Sequence, residues 1–203
     1  MKRHVSVLTA TVFAVATALT AQAQSQAPRP QPDKPAPGAK APAHEEHAKA
    51  TDIGNDQEFA RKVAAGGHAE VELAKLAQQK SSSDEVKMFA SRLETDHMKA
   101  NTEIMKVASE KKWNLPTEPT ADQKNQKAKL EKLSGKAFDN AYVDLMVKNH
   151  RTNIPSFERE ASKGSDADLK QFASNTLPTL KEHLELALKT QRAVGGTSAT
   201  ARR

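Results

Sequence analysis

Residues 82–107 read SSDEVKMFASRLETDHMKANTEIMKV, and this stretch decides the fold class. Val86, Phe89, Leu93, His97, Ala100, Ile104 and Val107 recur at steps of three and four, the period that gathers side chains on one face of an α-helix. Ser82-Ser83-Asp84-Glu85 supplies a hydroxyl and acidic start. Asn114-Leu115-Pro116 marks the end, because proline cannot continue a helix. One position on the apolar stripe is a histidine.

The pattern repeats on both sides. Asn55-Asp56-Gln57-Glu58 offers a cap followed three residues later by a glutamate, and opens a helix with the stripe Phe59, Val63, Gly66, Glu70, Leu73 and Ala77. Downstream, Gly135 to Lys163 carries Val143, Val147, His150, Ile154, Phe157 and Ala161, and Gly164 suits a left-handed cap. Ser165-Asp166-Ala167-Asp168 opens a fourth helix with Leu169, Phe172, Thr176, Leu180, His183 and Ala187 facing one way. Between the second and third long helices, Thr120 caps a shorter polar helix from Ala121 to Leu133. Nothing alternates with period two for long enough to suggest a strand.

Two short turns, Ser81–Ser83 and Gly164–Ser165, and one long connection describe two helical hairpins joined by a crossover. The expected fold is therefore all-α: a ferritin-like four-helix bundle with a crossover connection carrying a short extra helix. A plain up-and-down bundle with a decorated middle loop is the alternative.

The chain ends set the compartment. Met1-Lys2-Arg3-His4 is basic, Val5 to Thr20 is apolar, and Ala21-Gln22-Ala23 puts small residues around a cleavage site. This is the arrangement of a secretory signal spanning 1–23, cut after Ala23, and it implies a periplasmic or otherwise exported protein. The apolar run is shorter than the roughly 20 residues that span a bilayer, so no stable membrane insertion is expected. Residues 24–51 are rich in Pro, Ala and Gln and read as a disordered spacer, 52–192 as the bundle domain and 193–203 as a flexible tail. His44-Glu45-Glu46-His47 in the spacer could chelate a metal loosely, but nothing there pre-organises it.

Composition removes several classes of function. The 203 residues include no cysteine, which excludes disulfides, thiolate metal sites, a cysteine nucleophile and a lipidated N-terminal cysteine. Cleavage removes Lys2 and Arg3 from the 31 basic residues, which face 25 acidic ones, so the formal charge falls from +6 to +4. The lysines are interleaved with Glu and Asp along helical faces, and no nucleic-acid partner is indicated. No Ser/His/Asp grouping is legible, and no catalytic or organic-cofactor residue is assigned.

The informative anomaly is the set of polar residues on apolar stripes: Glu70, His97, His150 and His183, one on each long helix. A buried carboxylate is costly unless its charge is compensated. One carboxylate and three imidazoles facing a common core supply metal ligands, or hydrogen-bond one another. Counted from the first turn at 1.5 Å per residue, Glu70 and Glu94 lie nearly level, and Glu94-Thr95-Asp96-His97 places a Glu-x-x-His opposite a Glu. That is half of a carboxylate-bridged di-iron ligand set. The second Glu-x-x-His is missing, because Leu180 stands where its glutamate would be. Asp96 and Glu182 adjoin His97 and His183 and are candidates for orienting them. Met146, four residues before His150, is a candidate soft ligand or a packing residue. Ligands of this kind suit Fe, Mn, Zn or Cu(II). Pro155 and Pro178 interrupt their helices on the turn side of a histidine, which either widens a cavity there or curves the helices for packing. Gly66-Gly67 points to close helix approach or to space beside Glu70.

Four strings carry a family resemblance: Phe59 through Ala77; Phe89-Ala90…Asp96-His97…Asn101; Phe138…Tyr142…His150; and Leu177-Pro178-Thr179-Leu180-Lys181-Glu182-His183-Leu184. Together they resemble the bacterial domain of unknown function 4142, often labelled a predicted outer membrane protein and grouped with ferritin-like folds. In that pattern Glu70, His97, His150 and His183 match typical polar positions, whereas Glu94 falls at a variable one. The resemblance implies export and a ferritin-like bundle, and supplies no activity. Two functions remain open from the sequence. One is an exported protein binding a metal ion in the bundle core. The other is a non-enzymatic envelope stress or scaffold protein acting through protein contacts, with its partners unspecified.

Overall fold

The computed structural model describes the backbone of residues 43–200 and the side chains of 55–195. The segments expected to be a signal sequence and most of a spacer, the His44–His47 side chains, and the extreme C-terminal tip lie outside the described residues. Five helices follow in order: α1 (Ala43–Lys80), α2 (Asp84–Glu110), α3 (Ala121–Glu131), α4 (Gly135–Lys163) and α5 (Ala167–Thr200), with no strand among the described residues. α1 packs along α2 and α4 along α5. The hairpins join through α2 against α5, while α1 and α4 meet more sparsely and α3 lies against both. The crossover between hairpins carries α3, as the ferritin-like connectivity requires.

The helix ends show which local signals were used. The Ser83 hydroxyl accepts from Val86 N–H, and α3 is closed by a capping box in which Thr120 and Gln123 satisfy each other's backbone N–H groups. Three expectations are corrected. α2 stops at Glu110, ahead of the Asn114-Leu115-Pro116 signal. Lys112 turns left-handed (φ 57°), while Lys112 and Trp113 N–H donate back to Ser109 and Ala108 carbonyls, which closes the helix. Gly164 is not left-handed (φ −55°); it is needed because a Cβ there would lie 2.4 Å from Glu160 Oε1 and 2.7 Å from the Glu160 carbonyl. Finally, α1 begins at Ala43, upstream of the Asn55-Asp56 signal.

Asp56 has another use. Its carboxylate accepts from the N–H groups of Ser165 and Asp166 at 3.1 and 2.7 Å, so a residue of α1 closes the α4–α5 turn. Asp139 of α4 does the reverse, accepting from the Ser81 and Ser82 hydroxyls of the α1–α2 turn, each at 2.6 Å. Both aspartates are buried. Each hairpin thus pins the turn of the other, and this fixes the depth at which facing residues meet.

The core is two apolar clusters. One, towards the α1–α2 turn, contains Leu73, Val86, Phe89, Leu93, Phe138, Tyr142 and Met146. The other, towards the α4–α5 turn, contains Phe59, Ile104, Ile154, Phe157, Leu169, Phe172 and Leu180. Every long helix contributes to both, and on each helix the boundary between them is a polar residue.

Candidate functional site

Glu70, His97, His150 and His183 form the boundary layer, with exposures of 3, 8, 1 and 1%. The structure brings all four together. His97 Nε2 is 2.6 Å from Glu70 Oε2, His150 Nε2 is 3.7 Å from the same oxygen, and His150 Nε2 is 3.3 Å from His183 Nδ1. One nitrogen from each histidine falls within 4.8 Å of the others.

The outer nitrogens fix the chemistry of the inner ones. His150 Nδ1 lies 2.9 Å from the Met146 carbonyl, which can only accept, so Nδ1 carries a proton. His183 Nε2 lies 2.8 Å from Asp96 Oδ2, and the same reasoning places a proton there. His183 is held down to about 4, first by burial and further by the charges of His97 and His150, against the opposing pull of Asp96. At neutral pH it therefore has one proton, on Nε2, which it donates in the hydrogen bond to Asp96. His183 Nδ1 is then a bare lone pair, facing His150 Nε2 at 3.3 Å.

Glu70 is an anion. Burial pushes its carboxyl up, but the charges of His97 and His150, the 2.6 Å contact with His97 and the charge of His183 hold it down to about 2. The His97 ring is pushed down by burial and raised, on balance, by Glu70 and Asp96. The contact between them is an ion pair rather than a directed hydrogen bond. Both His97 Nε2 and Glu70 Oε2 are buried without an aligned hydrogen-bond partner.

The remaining candidates fall into place around this layer. Asp96 orients His183, across the bundle, rather than its neighbour His97, and Arg92 links Asp96 to Glu182. Glu182 is half-exposed and touches Arg92, not His183. Glu94 accepts from Gln78 Nε2 at 2.6 Å, pairs with Lys75 and takes no part in the cluster. The half di-iron arrangement is thus not formed. Met146 participates through its backbone carbonyl. Arg92 was missed, although its spacing of four from Asp96 is a legible helical pair. Tyr142, also unassigned from sequence, is fully buried with its hydroxyl unpartnered, and burial together with the Glu70 charge raises its phenol well above the ordinary value.

A cavity of about 800 Å³ reaches the layer from the side where α1 and α4 stand apart. Glu70 and His97 are on its wall. Residues flanking both helical prolines, among them Asn153, Ser156, Phe157 and Thr176, also line it, so space is present at the level of Pro155 and Pro178. Gly67 admits the Asn101 side chain, whose Oδ1 sits 1.9 Å from where a Cβ would be.

A family profile for a domain of unknown function, DUF4142, matches residues 39–190. The chain belongs to the DUF4142 family. The match covers α1, α2, α3 and α4 whole and most of α5, and so includes the entire polar layer. The crystal structure of a DUF305 protein from Streptomyces coelicolor is similar to this DUF4142 fold, with a TM-score of 0.59 at 16% identity over 70% of this chain and 94% of that one. At that identity the likeness concerns the fold. No curated protein matches the sequence.

Proposed function

We propose that this protein is an exported metal-binding bundle protein, with one ion held by His97, His150, His183 and Glu70. The observation that carries this reading is the 3.3 Å approach of His150 Nε2 to His183 Nδ1, with the outer nitrogen of each ring already engaged, beside a buried carboxylate whose oxygen has no aligned partner. Only a cation placed among them reconciles these groups, either a metal ion or an added proton on His150. The donor set fits a metal. Three of the six donor–donor distances are 2.6, 3.3 and 3.7 Å, around the roughly 3.4 Å edge of a tetrahedron with bonds of about 2.1 Å, and the histidine nitrogens lie within 4.8 Å of one another. Three imidazoles, one carboxylate and no thiolate suit Zn, Fe, Mn or Cu(II). Asp96 and the Met146 carbonyl hold the outer faces of two rings, as partners of ligating histidines do.

Export rests on the N-terminal signal pattern. The DUF305 neighbour is described as a predicted secreted protein, which agrees with it. No helix among the described residues is long and apolar enough to cross a membrane.

The test is elemental analysis of the mature protein from an extracytoplasmic fraction, beside His97→Ala and His150→Ala. We expect near-stoichiometric metal that both substitutions abolish. At 100-fold excess over Kd, added ion stabilises by about 2.7 kcal/mol, a melting shift of roughly 5–10 °C for a domain of this size. Protein that is metal-free, folded and unmoved by Fe, Mn, Zn or Cu overturns the reading. The layer would then be a proton-sharing core network, and a scaffold role through protein contacts would take its place.

A further inference from the structure

Gly66 has no structural need to be glycine. It lies mid-helix in α1, where glycine costs roughly 1 kcal/mol relative to alanine. A Cβ there meets only Gln123 Nε2, at an ordinary 3.9 Å. What the missing side chain leaves is room, because Gly66 forms part of the wall of the 800 Å³ cavity. That volume lies in the range of about 300–1,000 Å³ typical of small-molecule sites.

The wall has a definite chemistry. Asn101, Gln126, Asn149 and Asn153 line it, and their carboxamides make no hydrogen bond to any described residue. Each offers two donors and an acceptor. The Phe59 and Phe157 rings, packed edge to face at 5.0 Å, supply an apolar section of the same wall. Its charges are of both signs: Glu58 pairs with Lys62 at 3.3 Å, Asp56 is committed to the α4–α5 turn, Glu70 is compensated by histidines, and the exposed Arg159 and Lys163 line it together with the buried Glu160. Free carboxamides beside aromatic rings match a ligand whose edges carry hydroxyl or amide groups and whose faces are C–H.

We propose that this cavity binds an uncharged, hydroxyl-rich ring compound of the size and class of a mono- or disaccharide. The inference stands apart from the metal reading, since the cavity touches the polar layer only at Glu70 and His97.

The test uses the full mature chain freed of metal by chelation, titrated with glucose, N-acetylglucosamine and maltose by saturation-transfer NMR. Glucosamine and glucuronate serve as charged counterparts. Saturable binding of at least one neutral sugar, at least tenfold tighter than its charged counterparts, is expected. Gly66→Leu intrudes into the cavity from the α1 wall and should weaken it at least tenfold with helical content unchanged, and Asn149→Leu should weaken it too. No saturable binding of any neutral sugar, preference for a charged one, or undiminished binding in Gly66→Leu overturns the proposal. Metal-induced melting shifts, read separately on Gly66→Leu, keep failure of this site distinct from failure of the metal site.

Discussion

His150 Nε2 and His183 Nδ1 lie 3.3 Å apart at the centre of the bundle, each turned to the other because its ring's opposite nitrogen is already engaged. This arrangement predicts tautomers. In metal-free protein at pH 7, ¹⁵N-detected correlations should show His183 protonated at Nε2 and His150 carrying a proton on Nδ1. Adding the ion should shift His183 Nδ1 and His150 Nε2, the inner atoms, and leave the outer protons in place. A proton found on His183 Nδ1 in neutral His183 would remove the lone-pair argument altogether.

Asp96 and Glu94 make the sharpest pair of substitutions. Asp96 accepts a hydrogen bond from His183 Nε2, and its own carboxyl is held low: burial opposes this, and the bonds from His183 and Arg92 prevail. Glu94 bonds to Gln78 on the far side. We expect Asp96→Ala to weaken metal binding about 10- to 100-fold, the usual range for such partners. Glu94→Ala should leave it unchanged. Competition with a chromophoric chelator measures both. Equal losses would mean that the crossed Asp96–His183 contact does not set the ring.

These two carboxylates also mark the limit of sequence reading. The turns give the height of each residue along the bundle, so the level of Glu70 with the 94–97 segment was legible. Rotation about the helix axis is legible only for residues on the apolar stripe. Glu70, His97, His150 and His183 sit on stripes and could be singled out. Glu94 and Asp96 lie off theirs, and the neighbouring helix decides which is used. Asp56 shows a second limit. Its sequence context reads as a local cap, yet its partners are 109 and 110 residues away, a pairing that no local pattern encodes. Lys112 shows a third: the left-handed position that ends α2 is held by a lysine, where composition gives no glycine to read.

Adjacent glycines in α1 should respond differently to alanine. Gly66→Ala gains helix propensity of about 1 kcal/mol at most and meets nothing closer than 3.9 Å. Its melting point should rise by roughly 2–4 °C. Gly67→Ala gains the same propensity but drives its Cβ into Asn101 Oδ1. The Asn101 side chain must swing away, so this variant should fall below Gly66→Ala, and Asn101→Ala in the same chain should recover the difference. Thermal melts of the three variants against wild type decide it; equal gains at 66 and 67 would refute the close approach.

The two buried aspartates that tie the hairpins together should be worth more than ordinary surface acids. Asp139→Ala removes two charge-assisted bonds at 2.6 Å and leaves the Ser81 hydroxyl buried without that partner. Such bonds contribute about 1.5–3 kcal/mol each, so a total loss of roughly 2–4 kcal/mol is expected after local relaxation. Asp56→Ala removes a cap over the α4–α5 turn and should cost about 1–2 kcal/mol. Urea unfolding with unchanged m-values would attribute both losses to the native state. A loss within about 0.5 kcal/mol, the range of ordinary surface substitutions, would show that the pins are ornamental.

Glu160 gives the protein a pH dependence of unusual sign. It is buried at the end of α4 with Oε1 unpartnered, and it is raised to about 7, first by burial and then by Asp56 and Asp166 nearby. Its ordinary value of 4.5 applies in the unfolded chain. Between about 4.5 and 7 the folded state therefore holds a proton that the unfolded state has lost, so this group's contribution to stability falls as pH rises through that window. His183 acts oppositely: lowered to about 4, it makes folding less favourable as pH falls from 6.5 towards 4. The two slopes partly cancel in wild-type protein, so the informative quantity is a difference. Glu160→Gln keeps the shape without the titration, and its stability relative to wild type should increase from pH 5 to pH 8 by about 1–3 kcal/mol. A difference that stays flat across that range would place Glu160 at an ordinary acidity despite its burial.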